Sequence, residues 1–232
     1  MNPAPAAPGG PKLAPPPRPP SVLSRLRHVA IDRLPSALLV RSVPNAGKRV
    51  ALTFDDGPHE LTEAYLDVLE RFSAKATFFL VGEACRARPE AVLHIVQRGH
   101  EVAGHGLTHK TFPSLSATAL RTELDATAAL LPPSETGRRL VRPPRGAVSL
   151  VSLGRCARAG YVTILWSRDS DDCRVRDRAE LEARLAPEVL SPGEIVLLHE
   201  GQDWTLAALP GVLGRLRDAG YEAVTVGNLL GW

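Results

Sequence analysis

Two histidines four residues apart, His105 and His109, and an adjacent pair of acids, Asp55 and Asp56, are the residues of this 232-residue chain best placed to do chemistry together. Histidines at that spacing can reach one ion from a helix or from a tight loop. A carboxylate added to them completes a three-ligand set and leaves a position open for water. Of two carboxylates on one sharp turn, one can ligate while its neighbour takes a proton from the water. A divalent ion brings the pKa of water in its open position toward about 7, which makes that water a nucleophile at neutral pH. Taken singly the signals are weak. Paired histidines are common on solvated helix faces, and Asp-Asp-Gly-Pro is also an ordinary turn, since Asp, Gly and Pro all favour turns.

What joins these signals is where they fall along the chain. From Lys48 onward, short apolar runs alternate with amphipathic helical patterns. Strands are expected at residues 49–54, 76–81, 101–103, 140–141, 161–166, 194–198 and 222–226. Helices are expected at 61–72, 91–98, 116–131, 149–159, 177–190 and 206–219. The first has Tyr65, Leu66, Leu69 and Phe72 on one face. Pro89 suits the first turn of the second, Pro132 and Pro133 stop the third, and Gly160 and Gly220 close the fourth and sixth. Such alternation implies parallel strands with helices outside, as a barrel or an open sheet. In that arrangement all strand C-termini point to one face. Asp55 and Asp56, His105 and His109, Arg142, Asp169 and Asp172, and His199 each end or follow a predicted strand, so they converge there.

At this point a resemblance becomes specific. Thr53 to Pro58 reads TFDDGP and is similar to the first motif of the polysaccharide deacetylases, the NodB-homology family (carbohydrate esterase family 4). GHGLTH ending at His109 resembles the metal-histidine motif, RPPRG from Arg142 the third, WSRDSDDC from Trp166 the fourth, and IVLLH ending at His199 the fifth. The resemblance runs in the same order from Lys48 to the C-terminus, roughly four-fifths of the chain. It implies an α/β fold, a distorted (β/α) barrel of about seven parallel strands. It also implies one divalent metal on Asp56, His105 and His109, zinc being usual and cobalt, manganese or nickel the alternatives. Asp55 would be the general base and Arg142 would orient it. His199 would be the general acid, held by Asp172. The backbone N–H of Arg145 would stabilise the oxyanion, and Leu197 would line the acetyl-methyl pocket. Asp169 is grouped with the substrate-contacting residues.

Three positions depart from the family pattern. Gly106 stands where Ser or Thr is usual, which predicts a loop less braced by hydrogen bonds. Cys173 replaces a Trp that walls the groove, and Arg145 replaces a Tyr. Trp204 then reads either as a substitute groove wall or as core packing. Lys75 is either solvated or a second brace for Asp55. His28, His59, His94 and His100 read as surface or structural residues.

The expected activity is removal of N-acetyl groups from a glycan (peptidoglycan, chitin-like or other), releasing acetate. The alternatives are a deacylase of a small amide or glycolipid precursor, motivated by the missing groove Trp, and a non-catalytic glycan-binding module, which the complete ligand set argues against. A formal charge of +3 is too small to imply nucleic acid. Three scattered cysteines read as reduced thiols. Residues 1–20 carry nine prolines and read as a disordered tail, 21–47 as a basic amphipathic helix starting near Ser21 plus linker, and 48–232 as the catalytic domain. The helix either contacts an anionic membrane surface or packs on the domain. With no secretion signal or spanning segment visible, the default compartment is cytoplasmic, with membrane-peripheral or exported placement as alternatives. The oligomeric state is left open.

Overall fold

The computed structural model describes residues 35–134 and 137–232. The proline-rich tail and the basic helix near Ser21 lie outside the described residues. Among the described residues nine strands form one sheet: β1 (Leu39–Val40), β2 (Arg49–Asp55), β3 (Thr77–Leu80), β4 (Glu101–Gly104), β5 (Arg139–Val141), β6 (Tyr161–Ile164), β7 (Arg168–Asp169), β8 (Ile195–His199) and β9 (Glu222–Val224). Their order is β1-β6-β5-β4-β3-β2-β8-β7, with β9 also on β2. Every strand pairing is parallel. An isolated antiparallel bridge from Ser42 to Glu194 ties the segment after β1 to the entry of β8. The sheet therefore curls back toward itself as a distorted barrel. No helix among the described residues is long and apolar enough to cross a membrane.

The pleat of the strands sorts their side chains into two layers. Val50, Leu52 and Phe54 of β2, Phe78 and Leu80 of β3, and Val196 and Leu198 of β8 belong to the outer core. There they meet α1 (Thr62–Arg71), α3 (Pro89–Gln97) and α7 (Asp203–Asp218), which bury Tyr65, Leu66 and Leu69, Val92 and Ile95, and Leu209, Val212, Leu213 and Leu216. The alternate residues Ala51, Phe79, Ala103, Leu140, Ile164 and Ile195 form the inner core. Moving up β2, the inward column changes from Ala51 to Thr53 to Asp55. Moving up β8, it changes from Ile195 to Leu197 to His199. The barrel is thus apolar below and becomes polar at the C-terminal ends, where the loops take over.

The remaining helices are α2 (Gly82–Ala87), α4 (Ala117–Ala128), α5 (Leu150–Arg158), α6 (Arg178–Arg184) and α8 (Val226–Leu229). Ser116, Ser149 and Asp177 cap α4, α5 and α6 through side-chain oxygens. Several boundaries differ from the sequence expectation. β1 and β7 are two residues long, too short for alternation to be read. α6 stops at Arg184 rather than near residue 190 because Pro187 cannot continue it. The last strand ends at Val224, since the Thr225 side chain accepts from Asn228 N–H and starts α8.

Candidate metal centre and active site

Strand order brings the predicted residues together. In the register of β2 and β8, Asp55 lies opposite His199. The end of β4 lies beside β3 and β5, which carries His105 toward Asp55 and Arg142. The loops above these ends line a pocket of about 310 Å³. Its walls include Asp55, Asp56, His105, His109, Arg145, Asp169, Leu197 and His199. Asp56, His109, Arg145 and Asp171 all adopt positive φ, at 72°, 56°, 58° and 61°. Non-glycine residues seldom do so, and such strain concentrates where side chains are aimed for function.

The donor set suits a divalent cation. Asp56 Oδ1 is 3.1 Å from His109 Nε2 and 3.5 Å from His105 Nε2. An ion with tetrahedral bonds of about 2.0–2.1 Å would separate its ligand atoms by roughly 3.3 Å. His105 Nδ1 pairs with the backbone carbonyl of Arg142 at 2.8 Å. A carbonyl only accepts, so Nδ1 carries the hydrogen and Nε2 presents its lone pair toward Asp56. Burial holds the His105 pKa below the usual value, outweighing the pull of Asp55 and Asp56, so the ring is a neutral donor. Burial works against the Asp56 carboxylate, but hydrogen bonding to His109 and the neighbouring imidazoles hold its pKa down. The residues therefore fit such an ion, with Asp56, the more exposed acid, free to face it.

Asp55 is held differently. Arg142 is fully buried and donates from Nη1 to Asp55 Oδ1 at 2.6 Å and to Thr53 Oγ1 at 2.8 Å. Its remaining nitrogens reach the carbonyls of Ile164 and Leu165, and its guanidinium stacks 4.0 Å from the Phe79 ring centroid. Asp55 Oδ1 is thus occupied, and Oδ2 faces His105 Nε2 at 3.6 Å. On the opposite side, His199 Nδ1 bonds Asp172 Oδ1 at 2.7 Å. Asp172 Oδ2 accepts from His199 N–H and from Thr205 Oγ1, both at 2.9 Å. Burial opposes charge on His199, but Asp172, Asp55 and Asp56 outweigh it and raise the imidazole pKa. The ring is biased to keep its proton, with Nε2 the nitrogen left to give one.

The departures take on physical reasons. Gly106 adopts φ 79°, and an added Cβ would come 3.4 Å from both Glu123 Oε2 and Phe112 Cε1. Contrary to the sequence expectation, the loop is well braced. Glu123 accepts from Leu107 N–H at 2.6 Å, Thr108 N–H at 2.9 Å and Thr108 Oγ1 at 2.5 Å. Cys173 lines the pocket, with Sγ 3.3 Å from His199 Nδ1. Partial burial and the nearby acids push its thiol up to about 11, so it stays protonated. Trp204 does not line the pocket. Its Nε1 donates to the Asp172 carbonyl at 2.7 Å and Arg176 stacks over its ring. The aromatic in the pocket wall is Trp166. Gly146 makes room for it, since a Cβ there would meet the indole at 2.6 Å. Lys75 does not brace Asp55; it donates to the Arg98 carbonyl at 2.6 Å. His100 is buried, with its pKa pushed down to about 4 chiefly by burial, and is structural.

Glu123 and Glu200 are the site-supporting residues that sequence reasoning missed. Glu200, next to His199, is buried beneath the Asp55–Gly57 turn; Thr62 Oγ1 donates to its Oε1 at 2.6 Å. A Cβ on Gly57 would fall 1.4 Å from Glu200 Oε2, so only glycine fits over it. Adjacency of Glu200 to His199 was the one signal available.

Comparison with known proteins identifies the family. Residues 42–164 match the polysaccharide deacetylase family. The chain is 33% identical over 204 residues to the peptidoglycan-N-acetylglucosamine deacetylase of Bacillus cereus, covering 84% of this chain and 94% of that protein. It is 37% identical over 205 residues to the chitooligosaccharide deacetylase of Sinorhizobium fredii, covering 78% of this chain and 93% of that one. A crystal structure of a peptidoglycan N-acetylglucosamine deacetylase bound to 4-naphthalen-1-yl-N-oxidanyl-benzamide superposes with a TM-score of 0.77 at 27% identity, covering 83% of this chain and 92% of the other. By the family match, these identities and the shared fold, the chain belongs to the polysaccharide deacetylase family, a group of enzymes that hydrolyse N-acetyl amides of glycans.

Proposed function

We propose that this enzyme removes the acetyl group from N-acetylglucosamine residues of a bacterial wall-type glycan or its oligosaccharides, with zinc as the resident ion. The observation that carries the reading is one pocket holding two opposed functions. Asp55, with one oxygen occupied by Arg142, and His199, with one nitrogen occupied by Asp172, face each other beside the Asp56–His105–His109 set. When bound, a divalent ion supplies Lewis acidity to the acetamide carbonyl and to the attacking water. Two imidazoles and one carboxylate suit zinc.

The protein's own groups account for the proton movements. Asp55 Oδ2 accepts the proton of the attacking water while Arg142 keeps Oδ1 in place. The backbone N–H of Arg145, on its left-handed turn, is the proposed donor to the developing oxyanion. Leu197, buried in the inner wall opposite Thr53 and one step below the Asp55–His199 pair, receives the acetyl methyl group. His199 Nε2 donates to the departing sugar nitrogen, and Asp172 stabilises the imidazolium before that transfer. Trp166 and Asp169 on the pocket wall are the proposed sugar contacts. The Arg145 guanidinium has no hydrogen-bond partner among the described residues and is available to an anionic substituent.

The test combines metal analysis with acetate release from chitooligosaccharides and peptidoglycan fragments. Stoichiometric metal and acetate release are expected for the native chain. Asp55→Asn should keep the metal and lose at least about 10²-fold in rate, the usual worth of a positioned base. Activity surviving that substitution would remove Asp55 from the role. Turnover of a small soluble amide with none on oligosaccharides would move the substrate to a different class.

A further inference from the structure

The loop between the two candidate ligand histidines is clamped on both sides. From one side, the first amides of α2 donate to its carbonyls: Gly82 N–H to Gly106 O at 2.9 Å and Glu83 N–H to Leu107 O at 3.0 Å. Gly82 permits that approach, because a Cβ there would lie 2.7 Å from Leu107 Cδ1. From the other side, Glu123 of α4 takes the loop's N–H groups at Leu107 and Thr108 and the Thr108 hydroxyl. Glu123 is 7% exposed and forms no ion pair with any Lys, Arg or His among the described residues. The two amides can only donate and share Oε2, while the Thr108 hydroxyl meets Oε1. The next residue, His109, sits at φ 56°, a conformation that persists only when its surroundings over-determine it.

We infer that Glu123 is a positioning residue that sets the metal affinity of this enzyme, by holding the 106–108 backbone so that His109 stays in its left-handed conformation with Nε2 beside Asp56. This rests on the proposed metal reading and adds to it a residue outside the ligand set. Glu123→Leu keeps a side chain of similar length but offers the two loop amides no acceptor. Removing such a support is expected to weaken metal binding by about 10- to 100-fold. Thr108→Val removes one of the three bonds and should cost roughly 2- to 10-fold, the worth of a single hydrogen bond.

The experiment measures zinc affinity by competition with a chromophoric chelator and records the visible spectrum of the cobalt-substituted protein. Native chain, Glu123→Leu and Thr108→Val are compared, with the far-UV circular dichroism of each metal-free protein as the check on folding. The expected result is a graded loss of affinity, Glu123→Leu more than Thr108→Val, with an altered cobalt spectrum in the former. Native affinity and spectrum in a folded Glu123→Leu would overturn the inference. Should Glu123→Leu fail to fold, Thr108→Val decides: unchanged zinc affinity there overturns it. A native chain that binds neither metal would instead sink the metal reading itself.

Discussion

Arg142 offers the sharpest quantitative test of how the barrel holds its base. The guanidinium is completely buried, and its partner Asp55 has a side chain only 5% exposed. Arg142→Met keeps an unbranched chain able to lie along Phe79, so lost volume is a small part of the effect. The main cost is a carboxylate left in the barrel without its cation, about 3–5 kcal/mol. That is a large share of a typical domain stability of about 5–15 kcal/mol. Asp55→Asn removes the opposite charge but keeps an acceptor for Nη1, and Arg142 retains Thr53 and two carbonyls, so its cost is smaller. In the double variant neither charge remains, so the second substitution should cost less than it does alone. A coupling of about 2 kcal/mol falls within the range for contacting residues. Urea denaturation of the four proteins in the presence of a chelator measures all sides of the cycle. Additivity within about 0.5 kcal/mol would refute the reasoning, because it would mean that each charge is solvated independently of the other.

Two further outcomes follow from the buried acids. Burial, aided by Asp56 and opposed by Thr62 and His59, pushes the Glu200 carboxyl from 4.5 up to about 8. Its neutral form is the one the fold favours, so that stabilisation is complete below about pH 4.5 and is lost as pH rises through about 8. Glu200→Gln is neutral throughout, and its melting temperature should rise relative to the native chain between pH 5 and pH 9; parallel curves would show that the acid is solvated. In Asp172→Asn, His199 loses the partner that holds its pKa up. The alkaline limb of kcat/KM should move to lower pH and the rate should fall by up to about 10²–10⁴-fold, whereas an unmoved limb would remove His199 from the acid role.

Much of this architecture is legible in the chain itself, because it depends on local patterns. Turn residues, strand length and the two-residue pleat are set by neighbours a few positions away. They suffice to place Asp55, Asp56, His105, Arg142 and His199 at strand ends, and parallel pairing then gathers those ends on one face. The two-residue strands β1 and β7 escape such reading, because they exist only as pairings with β6 and β8. The same limit governs the site. That Arg142 occupies Asp55 Oδ1, that its carbonyl fixes the His105 tautomer, and that Glu123 takes the place of a local brace at Gly106 are contacts between residues 87, 37 and 15–16 positions apart. Trp166 rather than Trp204 walls the pocket for a comparable reason, since both are aromatic near the fourth and fifth motifs and only packing against Gly146 or Asp172 separates them. The sequence by itself determined which residues reach the active face. The tertiary structure decided which atom of each is held and which is left free, because hydrogen-bond pairing and burial depend on distances that chain order does not contain.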